Sequence, residues 1–130
     1  MKIVLPIPDR AVSPNATRGQ SRWAAIVKSR AIKKHRALAK LETRRALYAA
    51  HGHYDGDDLP RFAGYALAFY FKTAAYRDDD NAEASCKAYR DGIAEALGMN
   101  DRDLKKAALS TFAKDKDNPR VEITLMEKTE

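Results

Sequence analysis

Hydrophobic and polar positions change period several times along the chain. In "FAGYALAFYF", residues 62–71, Tyr65, Leu67, Phe69 and Phe71 point one way, and Ala66 and Ala68 point the other. This two-residue period predicts a strand with a bulky apolar face and a small-residue face, suited to the centre of a sheet covered closely by a helix. "RVEITLM" repeats the period with Val121, Ile123 and Leu125 on one side. "KIVLPI" near the start predicts a short strand ended by proline. Between the first two strands lies a run rich in Ala, Leu, Lys and Arg. It predicts a long helix from about Arg22 to Ala50, capped by Ser21. Its apolar stripe is Trp23, Val27, Leu38, Leu41 and Tyr48, interrupted by Lys34 and Arg45. "NAEASCKAYRDGIAEAL" predicts a second helix closed by Gly98. "LKKAALSTFAKD" has helical propensity. Its place before "KDNP" and the alternating "RVEITLM" instead predicts the first strand of a hairpin. The order is β-α-β-α-β-β: one α/β domain of mixed α+β character, with a mixed sheet packed by two helices.

Charge sharpens this picture. Residues 1–50 hold 12 Lys/Arg against 2 Asp/Glu, and the other 80 hold 12 against 16. A basic half joined to an acidic half points to a polyanionic partner for the first and separate work for the second. The leading phosphate contacts are Asn15, Arg18, Arg22, Lys28, Lys33, Lys34 and Arg36. No apolar run approaches the roughly 20 residues of a membrane span, and "MKIVLPIPDR" is too short for a signal-peptide core. The single cysteine, Cys86, has no partner for an internal disulfide, so a reducing cytoplasm is expected, with Cys86 as a buried helix residue. His51 and His53 lack a third ligand and are expected in a surface loop, and His35 is expected to be solvated within a basic run.

The acidic half gathers "RDDDN" at residues 77–81. Aspartates at a helix N-terminus cap free N–H groups and favour the dipole by roughly 0.5–1 kcal/mol each. If the chain stays extended here, however, Asp78 and Asp80 share one side and Asp79 takes the other. Two carboxylates about 6–7 Å apart then suit a hard divalent cation such as Mg²⁺ or Mn²⁺. Asp101, or failing it Asp103, offers a third. Lys87 lies seven residues beyond Asp80, which returns it to nearly the same helical face, within reach of a phosphate.

These stretches, in order, resemble the RusA family of Holliday junction resolvases. "LPIP" is followed by "SPNATRGQSRW", similar to the family's phage-type opening. The strand then leads into "RDDDN", and "KAYRDGIAEALGMND" and "NPRVEITL" follow. The resemblance spans most of the chain. It implies a small homodimeric endodeoxyribonuclease that nicks two strands symmetrically across a four-way DNA junction. Asp78, Asp80 and Asp101 would hold Mg²⁺, with Mn²⁺ as a substitute. The family lysine often lies four residues after the second aspartate, where this chain has Ala84; Lys87 would take that role one turn later. The opening motif has Arg22 before Trp23 where many relatives carry His. The alternatives are a non-catalytic basic DNA-binding protein whose aspartates cap a helix, and an interaction module that is merely basic.

Overall fold

A computed structural model of the chain describes residues 1–12, 21–73 and 79–129, and at Asp79 and Asp80 the backbone. Phe62–Phe71 form the central strand β2. Its bulky face is buried, with Leu67 and Phe69 only 3% and 1% exposed. β1 (Lys2–Leu5) pairs antiparallel with β5 (Arg120–Glu127), and β5 pairs antiparallel with β2. The register sets Tyr65, Leu67 and Phe69 opposite Leu125, Ile123 and Val121, and Ile3 and Leu5 opposite Ile123 and Val121. Tyr65, Leu67, Phe69, Val121, Ile123, Leu125, Ile3 and Leu5 therefore fall on one face, which is what the two-residue period requires. The other face, with Ala66, Ala68 and Tyr70, is half-buried.

The expected hairpin does not form. "LKKAALSTFAKD" yields two short strands, β3 (Lys105–Lys106) and β4 (Thr111–Lys114). Both run parallel to β2, so β2 lies between β4 and β5. The crossing from β4 to β5 is held by Arg120. Its Nη1 donates to Asp115 at 2.7 Å and to the Asn118 carbonyl at 2.9 Å, its Nε donates to Glu122 at 2.7 Å, and its guanidinium lies 3.9 Å from the Tyr70 ring centroid. Phe112 of β4 stacks on Phe69 with centroids 5.2 Å apart. Docking on the free edge of β2 thus buries an aromatic that a hairpin with β5 would set elsewhere.

α1 spans Arg22–His51, and the Ser21 hydroxyl accepts from the Ala24 N–H, close to expectation. Its orientation is not as expected. Trp23 and Tyr48 are each 62% exposed and Leu41 46%. The buried ridge is Ala31, His35, Ala39, Thr43 and Leu47, at strict four-residue spacing. Ala39, facing Gly92, lets α1 approach a second helix closely, and the Thr43 hydroxyl is satisfied by the Ala39 carbonyl at 2.7 Å. That partner is α3, Lys87–Ala96.

The single second helix expected between Asn81 and Leu97 is two: α2, Asp79–Ser85, and α3. The break has a local cause. The Ser85 hydroxyl donates to the Ala82 carbonyl at 2.6 Å, and the Cys86 N–H donates to Glu83, three residues back. Both tighten the last turn of α2 and end its ladder. Among the described residues, three α-helices and a five-stranded mixed sheet therefore make one α+β domain.

His35, expected in solvent, is only 2% exposed. The Tyr89 hydroxyl donates to the Pro6 carbonyl at 2.8 Å, so it accepts from His35 Nδ1–H at 2.9 Å. Nε2 lies 3.1 Å from both the backbone nitrogen and Oδ2 of Asp9. One imidazole fastens residues 6–9 to both α1 and α3.

Candidate functional site

The acidic motif begins a helix. Asp79 and Asp80 lie in the first turn of α2, so successive residues turn by about 100° rather than alternating. The expectation that an extended chain sets Asp78 and Asp80 on one side and Asp79 on the other is therefore overturned at Asp80. Asp78 lies outside the described residues, as do Asn15 and Arg18. Lys87 does not continue the helix of Asp80. It opens α3, beyond the break at Cys86.

Lys87 nonetheless sits among carboxylates. Its Nζ lies 3.3 Å from each carboxylate oxygen of Asp91 and 3.8 Å from Oδ2 of Asp101. Asp91 comes from the next turn of α3, and Asp101 from a 3₁₀ turn at Asp101–Asp103 capped by Asn100. Asp91 escaped the sequence reading, although a Lys-Asp pair four residues apart on a helix is a contact signal. Beside them runs a groove of about 360 Å³ lined by Arg36, Asp91, Glu95, Met99, Asn100 and Asp101. Glu95 accepts from Lys40 at 2.8 Å and from Arg36 at 2.9 Å. Hydrogen bonds from Lys40 and then Arg36 hold its carboxyl below the usual range. Asp103, two residues beyond Asp101, lines a different cleft with Lys105.

Among the described residues no three His, Cys, Asp or Glu side chains group as metal ligands. Asp91 and Asp101, which share Lys87, are hard oxygen donors of the kind Mg²⁺ or Mn²⁺ takes. Asp101, the farther of the two from the Lys87 ammonium, is the donor whose chemistry fits such an ion. Cys86 is inert: burial pushes its thiol up to about 12, far from the thiolate a nucleophile needs. His53 contacts the Asp55 carbonyl and, at 3.0 Å, Asp58, in an exposed loop.

The basic residues of α1 divide into two groups. Lys34 pairs with Asp9 at 3.6 Å and Arg36 with Glu95 at 2.9 Å. Arg22, Lys28 and Lys33 make no ion pair among the described residues. Arg30 lies over Trp23, 5.6 Å from the ring centroid, on the outward side of the helix. Of the apolar stripe expected to face the core, Leu38 packs against it, while Trp23, Val27, Leu41 and Tyr48 are exposed.

No family model matches the chain. It is similar to an uncharacterized protein of Xylella fastidiosa (strain Temecula1), 39% identical over 102 residues, which cover 77% of this chain and 60% of that protein. The chain thus spans less than two thirds of that relative's length. Among the described residues, no helix is long and apolar enough to cross a membrane.

Proposed function

We propose that the chain is a metal-dependent endodeoxyribonuclease that acts on branched DNA, four-way junctions foremost, as a homodimer. The observation that supports it most is the meeting of Lys87 with Asp91 and Asp101 beside a groove that Arg36 of α1 also lines. In this reading Asp101, Asp80 and Asp78 hold Mg²⁺ or Mn²⁺. When bound, the ion supplies Lewis-acid polarisation of a phosphodiester and a more acidic water. Lys87 donates to a phosphate oxygen and neutralises charge as it develops. Asp91 holds the ammonium in place while no substrate is bound. Arg22, Lys28 and Lys33 bind the phosphate backbone without reading bases. Arg36 and Lys40 are engaged by Glu95 and fix α1 against α3.

Paired nicks on a two-fold junction need two sites at fixed spacing, which a C2 dimer supplies. The bulky face of β2 is buried by the chain itself. The half-buried face, with Ala66, Ala68 and the 49% exposed Val4, is the one this reading gives to the second copy.

A specific observation favours a second reading. α2 begins at Asp79, where capping acids belong, so the motif can serve a DNA-binding protein with no catalysis. One experiment separates the two: cleavage of a four-way junction and of linear duplex in Mg²⁺, Mn²⁺ and EDTA. The nuclease reading expects metal-dependent junction cleavage, reduced by about 10²-fold or more in Asp101→Asn and Asp80→Asn. Asp117→Asn, an exposed acid in the turn before β5, keeps full rate. Binding without cleavage in every metal would establish the capping reading instead.

A further inference from the structure

The 3₁₀ turn that carries Asp101 to the groove carries Asp103 to a second, larger cleft of about 750 Å³, and Met99 touches both. This is within the usual size of small-molecule sites, roughly 300–1,000 Å³. One part of its wall is apolar, made by Leu59, Phe62, Leu97 and Met99. Tyr54 stands at its edge, 44% exposed, with the Arg44 guanidinium 5.1 Å from its ring centroid. Strand register brings three cations to the same cleft. Arg61 precedes β2 and Lys128 follows β5, and the Lys128 N–H donates to the Arg61 carbonyl at 2.7 Å. Lys105 of β3 sits opposite Gly64 of β2. None of the three makes an ion pair among the described residues, although Asp55 and Asp57 stand on the loop wall.

Three cations with no ion pair among the described residues stand in one cleft with the carboxylates of Asp55, Asp57 and Asp103, a lining that suits a ligand carrying both an anionic group and hydrogen-bond donors. A bare anion would leave the apolar wall and Tyr54 unused, and a purely apolar ligand would leave the cations unused. Carboxylates on the loop call for a ligand that also presents N–H or O–H donors. We infer that this cleft binds a nucleotide unit, with the base against Leu59, Met99 and Tyr54 and the phosphate on Arg61, Lys105 and Lys128. A free nucleotide and an unpaired nucleotide of a strand offer the same chemistry. The inference does not require the metal chemistry proposed above.

The test is a ¹H–¹⁵N titration of the full chain without divalent metal, so its outcome is separate from any cleavage result. The probes are dAMP, deoxyadenosine, inorganic phosphate and a deoxyadenosine trinucleotide, each to about 10 mM, which reaches millimolar dissociation constants. Saturable dAMP shifts are expected at amides of residues 54–63, 97–105 and 126–129. Phosphate and deoxyadenosine alone should bind about tenfold more weakly or worse, since each makes half the contacts. Lys105→Glu and Lys128→Glu, both at exposed positions, should each weaken dAMP by about tenfold or more. Lys114→Glu, an equal charge change on β4 away from the cleft, should not. A trinucleotide that binds more tightly through the same amides identifies a strand as the source, and one that binds no better identifies the free nucleotide. Absence of saturable shifts at these amides in a folded spectrum overturns the inference. So does phosphate binding as tightly as dAMP, or Lys105→Glu and Lys128→Glu losing no more than Lys114→Glu.

Discussion

Replacing Gly92 by alanine sets two known effects of opposite sign against each other. On helix propensity alone, alanine inside α3 stabilises by about 1 kcal/mol. Contact geometry opposes this. A Cβ at position 92 would lie 2.2 Å from the Arg36 carbonyl oxygen, 3.0 Å from its carbon and 3.1 Å from the Ala39 Cβ. Two of those atoms are α1 backbone, so no rotamer change relieves the overlap. Comfortable contacts begin near 3.5 Å, so the helices must part by roughly 1 Å, and such a gap forfeits a quarter to a half of each dispersion well along the interface. Overpacking costs about 1–3 kcal/mol, and the upper end applies where nothing can rotate away. The net expectation is a loss of about 2 kcal/mol, or a fall in Tm of roughly 6–10 °C for a domain of this size. Thermal melts followed by circular dichroism read it directly. Ala37→Gly, on the exposed side of α1, calibrates propensity in the same chain, with an expected loss of about 1 kcal/mol. A Gly92→Ala protein as stable as the parent, or more so, would refute this account of how α1 meets α3.

Two further outcomes follow from the hydrogen-bond networks. Tyr89→Phe removes the donor to Pro6 and the partner of His35; leaving such groups unpaired costs about 1–3 kcal/mol, so urea midpoints should fall accordingly, and a change under about 0.5 kcal/mol would show that these two hydrogen bonds do not hold residues 6–9 in place. Carboxyls are held low at Glu83 by Ser110 and then Lys106, at Glu122 by Lys2 and then Arg120, and at Asp115 by Arg120. Because their folded values lie below the unfolded ones, their contribution is complete at neutral pH and is lost as pH falls from roughly 5 through the lowered values. Urea melts across this range should show stability dropping toward acid, with a shallower slope in Glu83→Gln; an identical slope would show that Glu83 is not one of the groups responsible.

Where hydropathy and packing agree, the sequence is readable. β2 and β5 alternate cleanly because their bulky residues meet across a register that buries one face. α1 is readable in extent and misleading in orientation. Trp23, Leu41 and Tyr48 are exposed, while its buried ridge holds two alanines, a threonine and a histidine beside a single leucine, Leu47. Hydropathy gives such a ridge little weight. The available signal was geometric: Ala39 and Thr43 four positions apart in one helix, and a glycine in the helix that meets it. β3 and β4 have two and four residues, too short for a period to register, and their partner is fixed by the free edge of a strand some forty positions earlier. The acidic site was half legible. Lys87 and Asp101 were named and do meet, but through a helix break set by Ser85 and Cys86 rather than through one continuous helical face. Asp91 was passed over because it resembles an ordinary helix-surface acid until the fold places Asp101 beside the same lysine.

The segment "GMNDRD" shows how local geometry decides what spacing leaves open. Two aspartates one residue apart would share a face in a strand, and either could then serve the groove. Here Gly98, with φ +66°, ends α3, and the Asn100 side chain caps a 3₁₀ turn over Asp101–Asp103. With three residues per turn, positions two apart diverge by roughly 240°, so the two carboxylates leave the turn in different directions. Asp101 reaches Lys87 and Asp103 reaches the cleft of Lys105. The acids are therefore not interchangeable. An insertion or a loss of capping in this turn would rotate both at once, coupling the groove to the cleft through six residues of backbone.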